Sequence, residues 1–66
     1  MPTELEATFA HLLGKRVTIR LHDSEGGFRD IVGHLESPHS LRNRHGKLIE
    51  FAHEKIFIWR EVIERT

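Results

Sequence analysis

The sequence predicts a mainly β protein: a small, five-stranded, strongly bent antiparallel barrel preceded by one short α-helix. Two observations carry that expectation. The apolar period changes at Gly14 from helical to two-residue, and short clusters of turn-forming residues then recur along the rest of the chain. Sixty-six residues leave room for a single domain, residues 1–66, with the helix about 4–13 and the barrel about 15–63. A chain of that size buries only about 60% of the surface its unfolded form exposes, so every large apolar side chain counts.

Thr3 and Glu6 stand at capping-box spacing, where a hydroxyl and a carboxylate satisfy amide groups that a first helical turn leaves unpaired. Leu5, Phe9, Leu12 and Leu13 then share one helical face, and Gly14 supplies the left-handed residue that ends a helix. In residues 16–22, Val17, Ile19 and Leu21 alternate with Arg16, Thr18, Arg20 and His22, the pattern of a half-buried strand. The polar loop 23–27 leads into a second strand, 28–36, to make a hairpin. Within it Ile31 and Val32 are adjacent, and Gly33 beside them predicts a bulge or bend. Pro38, which cannot donate to a ladder, belongs between strands. A third strand over 40–44, a turn at His45-Gly46 and a fourth strand over 47–52 make a second hairpin. A single helical turn over 52–55 precedes the last strand, 56–63, in which Ile56, Ile58 and Val62 alternate with Phe57, Trp59 and Ile63. Met1, Pro2 and residues 64–66 are expected to fray.

Composition narrows the function classes. There is no Cys, which excludes a disulfide framework, a thiolate zinc site and a cysteine nucleophile, and a reducing, cytoplasmic location is expected. Glu4, Glu6 and His11 interrupt any signal-like run, and no stretch approaches the roughly 18 apolar residues of a membrane span. Ten basic and ten acidic residues give a formal charge of zero, so the general basic excess that drives sequence-independent nucleic-acid binding is missing. The six His do not fall at ligand spacing, and no metal site is expected. Ser24, Ser37 and Ser40 lie in loops without a nucleophile elbow, Asp30 reads as an acceptor for backbone amides near Gly33, and Gly26-Gly27 is followed by a strand rather than the helix a phosphate cradle needs. The chain is therefore expected to be no enzyme and to hold no cofactor.

The basic residues define the one candidate surface. Arg16 and Arg20 share the outward face of the first strand, and Arg42, Arg44 and Lys47 flank the second hairpin. Joined by Trp59 or Phe57 as a stacking group, they form a candidate partner or nucleic-acid face. The opposing reading places Phe57 and Trp59 beneath the helix against Phe9 and Leu12, with the Arg residues balanced by Asp23, Asp30 and Glu36. It is preferred, because a small core needs its aromatic area.

Four segments carry a family resemblance: Gly14-Lys-Arg-Val-Thr-Ile-Arg-Leu, Phe28-Arg-Asp-Ile-Val-Gly-His-Leu, Arg44-His-Gly-Lys-Leu-Ile-Glu-Phe and Ile56-Phe-Ile-Trp-Arg-Glu-Val. Their order and spacing resemble the Src-homology-3-like barrel that precedes the catalytic domain of bacterial, chiefly actinobacterial, GNAT-type acetyltransferases. The resemblance implies an accessory, monomeric interaction module that docks on an acetyltransferase domain, in cis or in trans. It further implies that the acetyl-coenzyme-A site lies in that other domain. A weaker resemblance is to Sm-type barrels, through the helix, the Leu13-Gly14 junction and the Gly27 to Gly33 spacing. This alternative implies an RNA-binding ring, although Ile58-Trp59-Arg60-Glu61 lacks the Gly of the second Sm motif. A monomeric nucleic-acid-binding barrel is the third reading.

Overall fold

The computed structural model describes residues 3–63, so the expected fraying of Met1, Pro2 and 64–66 lies outside the described residues. The elements are α1 (Glu4–His11), β1 (Arg16–His22), β2 (Phe28–Ser37), β3 (Ser40–Arg42), β4 (Leu48–Glu50), a 3-10 turn η1 (His53–Lys55) and β5 (Ile56–Glu61). The fold is mainly β, as the two-residue period predicts, but the third, fourth and fifth strands are shorter than the apolar pattern suggests.

At the start of α1 the capping box forms in both directions. Thr3 Oγ1 accepts the Glu6 amide at 3.1 Å, and the Glu6 carboxylate accepts the Thr3 amide. The helix ends at His11 rather than Leu13, and Leu13 is exposed. Gly14, at φ +83°, then swings the chain directly onto β2. Its amide donates to Leu35 O at 2.8 Å, and Leu35 N donates back to Lys15 O at 3.0 Å.

The five strands form one antiparallel sheet in the order β4-β3-β2-β1-β5. Among the described residues β4 and β5 are its two edges and do not pair, so the expected barrel is not closed by backbone hydrogen bonds. Side chains fill the opening instead. Phe9 of α1 stands edge-on to Phe51, just past β4, at 6.0 Å between ring centroids, and to Trp59 of β5 at 4.9 Å. With only three residues in β4 and η1 intervening before β5, the helix covers a gap that strand pairing leaves open.

The core lies on the concave face: Phe9, Val17, Ile19, Leu21, Ile31, Leu35, Leu41 and Phe51 are buried, and Leu5, Leu12, Ile49, Ile56 and Trp59 pack against them. Strand β2 serves two partners, pairing with β1 from Phe28 to His34 and with β3 from His34 onward. No bulge occurs at Gly33. Alternation runs unbroken through Ile31, buried, and Val32, exposed, and the β2–β3 register shifts later, between Leu35 and Ser37. Gly33 is required for a different reason: a Cβ there would lie 2.4 Å from the Arg42 carbonyl oxygen and 2.7 Å from Leu41 Cδ1. Pro38 lies in the turn between β2 and β3, where Ser37 and Ser40 hydroxyls meet at 2.6 Å.

The second departure from strict alternation is in β5. The β1–β5 register shifts between Arg20 and Leu21, so Ile56 pairs opposite Leu21 while Ile58, not Phe57, pairs opposite Arg20. The extra residue leaves Phe57 and Ile58, neighbours in sequence, both outside the core.

Substituting Ala at Gly33 forces a methyl group into the β3 backbone, which has no flexible end to move aside. Urea denaturation of Gly33→Ala is expected to show a loss of about 1–3 kcal/mol or more. Val32→Thr, one residue away on the outer face, should change stability by less than about 0.5 kcal/mol.

Candidate functional site

The convex side of the sheet carries the side chains that alternate away from the core. Cross-strand register sets them in rows: Arg20 opposite Asp30 and Ile58, Thr18 opposite Val32 and Arg60, and Arg16 opposite His34, which in turn opposes Arg42. The face is therefore graded. One end is aromatic, the middle is an ion pair beside apolar groups, and the other end is basic.

At the aromatic end, Phe28 and Phe57 meet edge-on with ring centroids 4.8 Å apart, and His22 lies 5.3 Å from the first and 5.4 Å from the second. Phe28, Phe57 and Ile58 are 53%, 51% and 60% exposed. These are large apolar side chains on a domain that needs such groups inside, and they are contiguous rather than scattered. The β5 bulge delivers Phe57 and Ile58, and the β1–β2 register delivers Phe28 opposite His22.

In the middle of the face Arg20 grips Asp30 with both Nε and Nη2, at 2.8 and 3.1 Å, and its guanidinium carbon lies 6.0 Å from the Phe28 ring centroid. The hydrogen bond and charge of Arg20 hold the Asp30 carboxyl below the usual carboxylate range. Asp30 thus serves a side chain across the strand, correcting the expectation that it caps backbone amides near Gly33. The competing local donors, amides at a bulge, do not exist, because the β1–β2 register runs through Gly33 without a shift.

The six residues singled out by sequence do not form one site. Arg16 and Arg20 lie on the convex face as expected. Arg42 is engaged by its own hairpin, donating to Gly46 O at 2.7 Å and to Glu36 at 3.2 Å. Arg44 and Lys47 flank the tip of that hairpin, whose shape is set by Asn43: its side-chain oxygen accepts the His45 and Lys47 amides at 2.9 and 3.0 Å. Trp59 is half-buried on the core side against Phe9, so it is no part of an exposed stacking face. The preferred reading, with both rings beneath the helix, therefore holds for Trp59 and is corrected for Phe57, which the bulge leaves exposed. Phe28 is the residue sequence reasoning passed over; its position opposite His22 in the first hairpin was the available signal.

A second cluster joins α1 to the two turns beneath it. His39 donates from Nε2 to the Glu6 carboxylate, and its ring stacks on His53 at 4.3 Å with 23° between planes. His53 donates from Nε2 to Pro38 O at 2.6 Å and packs edge-on against Phe9 at 5.3 Å. The hydrogen bond from His39 is the main cause of a lowered Glu6 pKa, with the Thr3 amide contributing. Glu6 thereby closes the capping box and fastens the helix to the β2–β3 turn. Among the described residues no group of three His, Cys, Asp or Glu side chains is arranged to hold a metal ion, and no helix is long and apolar enough to cross a membrane.

Comparison of the chain with family models, with curated proteins and with solved structures found no match. The geometry of the face itself must therefore carry the functional argument.

Both Glu6 and Asp30 have folded-state pKa values below their ordinary ones. The stabilisation they provide is complete above the ordinary carboxylate range and is lost as pH falls through the lowered values. Urea midpoints measured at pH 6 and pH 3 should converge for the double variant Glu6→Gln, Asp30→Asn relative to the native chain, whose midpoint falls more steeply on acidification.

Proposed function

We propose that this domain is a non-catalytic interaction module that docks on a protein partner through the aromatic end of its convex face. The partner class implied by the family resemblance is an acetyltransferase catalytic domain, in cis or in trans, with the domain itself a monomeric, barrel-like accessory. The observation that supports this reading is the contiguous Phe28–Phe57–Ile58 surface, rimmed by His22 and the Arg20–Asp30 pair. Exposed aromatic groups with a polar rim are the composition of an interface centre, where a few large side chains supply most of the binding energy. Here Phe28 stands on β2 and Phe57 and Ile58 on β5, on either side of β1, and the sheet holds them rigidly and limits the entropy lost on association.

One observation favours the alternative of an Sm-like RNA-binding ring. Strands β4 and β5 are both open edges, and a ring could join the β4 of one copy to the β5 of the next. The two readings differ in mass. Light scattering is expected to give a monomer, and a hexamer or heptamer would replace the first reading with the second.

Titration of the chain into a purified acetyltransferase catalytic domain from the same organism tests the docking surface. Phe28→Ser with Phe57→Ser is expected to weaken binding at least tenfold, while far-ultraviolet circular dichroism stays unchanged because both side chains lie outside the core. Equal affinity of the double variant would sink the proposal.

A further inference from the structure

The aromatic dock leaves the outer edge of β5 open. Val62 N donates to Arg16 O at 2.8 Å, which makes these two residues a hydrogen-bonded pair of the antiparallel β1–β5 ladder. Such pairs recur at every second residue, so Thr18–Arg60 and Arg20–Ile58 are bonded in the same way. The N–H and C=O groups of Trp59 and Glu61 consequently point away from β1. Among the described residues no strand lies on that side, and no backbone hydrogen bond reaches these groups.

The side chains add an independent observation. On the convex face β5 presents Ile58, 60% exposed, and, two residues along, the exposed Arg60. The carboxylate of the same face, Asp30, is gripped by Arg20, and among the described residues Arg60 makes no ion pair and no side-chain hydrogen bond. An open strand edge offers amide and carbonyl groups in the repeat of another strand, which an extended polypeptide matches and a nucleic-acid backbone does not. Against a strand added outside β5, positions 58 and 60 form the non-hydrogen-bonded pairs, in which facing side chains approach most closely. An apolar group facing Ile58 and a carboxylate facing Arg60 are favourable cross-strand pairs, whereas a second cation facing Arg60 is repelled.

We infer that β5 takes up an extended segment of the protein partner as a sixth strand, with an apolar side chain opposite Ile58 and, two residues along, a carboxylate opposite Arg60. The inference rests on the reading of the domain as a docking module, and it names the form in which the partner arrives. Ile58 belongs to both surfaces, so the added strand continues directly from the Phe28–Phe57–Ile58 dock. A ring would fill this same edge with the β4 of a neighbouring copy, and the two occupants exclude one another.

The test uses the full chain, labelled with nitrogen-15, and three probes. The first is a blocked synthetic peptide, valine-threonine-glutamate-threonine-valine, whose palindromic order presents the same pattern to β5 in either strand direction. The second carries lysine for glutamate, and the third is N-methylated at both threonines, the residues placed to donate to Trp59 and Glu61. With the first peptide, hydrogen exchange at the Trp59 and Glu61 amides should slow, while that at Ile58 and Arg60, already bonded to β1, stays as it was. Arg60→Glu, at an exposed side chain, should weaken the peptide by about tenfold or more with an unchanged circular dichroism spectrum. Phe28→Ser, on the far side of β1, should leave it unaffected, so that failure of the aromatic dock and failure of strand addition are read separately. The inference is overturned by absence of saturable shifts, by binding that leaves exchange at Trp59 and Glu61 unchanged, by equal binding of the lysine or the N-methylated peptide, or by a hexamer or heptamer in light scattering, in which a neighbour already occupies β5.

Discussion

The passage of β3 across Gly33 constrains the rest of the molecule. With Arg42 O only 2.4 Å from where a Cβ would stand, the hairpin β3–β4 lies against β2 as closely as two backbones allow. That approach sets Leu41 opposite Leu35 inside the core and brings Phe51, at the end of the hairpin, within reach of Phe9. The helix can then span the space between β4 and β5. In a chain this short, a core that buries eight apolar side chains among the described residues depends on each of these contacts.

The helix is held at both ends by polar contacts to β2 or the turn after it. Gly14 and Lys15 exchange hydrogen bonds with Leu35 on one side, and Glu6 receives His39 on the other. Its packing contribution is concentrated in Phe9, the one fully buried side chain of α1, which touches Phe51, His53 and Trp59. An eight-residue helix is too short to persist in water alone. Its formation and the completion of the core are one event.

Much of this architecture was legible in residue order. The bounds of β1, the capping box, the placement of Pro38 in a turn and the single helical turn before β5 all follow from local chemistry, because each depends on residues within a few positions of one another. What alternation misread was non-local. Ile31-Val32-Gly33 resembles a bulge in one dimension, whereas the glycine answers a strand distant in sequence. Phe57 and Trp59 looked like partners on one face because a two-residue period has no way to announce an inserted residue. The candidate surface suffered most: Arg42 is claimed by its own hairpin and Trp59 by the core, while Phe28, at the edge of a polar loop, is brought into the exposed cluster by pairing register alone.

The irregularity in β5 has a consequence for how such a domain can diversify. In a regular strand a change on one face is tied by alternation to the face beneath, and a shifted pairing turns the whole strand over. The inserted residue breaks that tie, leaving Ile56 and Trp59 anchored inward while positions 57 and 58 stand free of interior packing. Relatives of this chain could exchange those two side chains to suit different companions without repacking anything underneath.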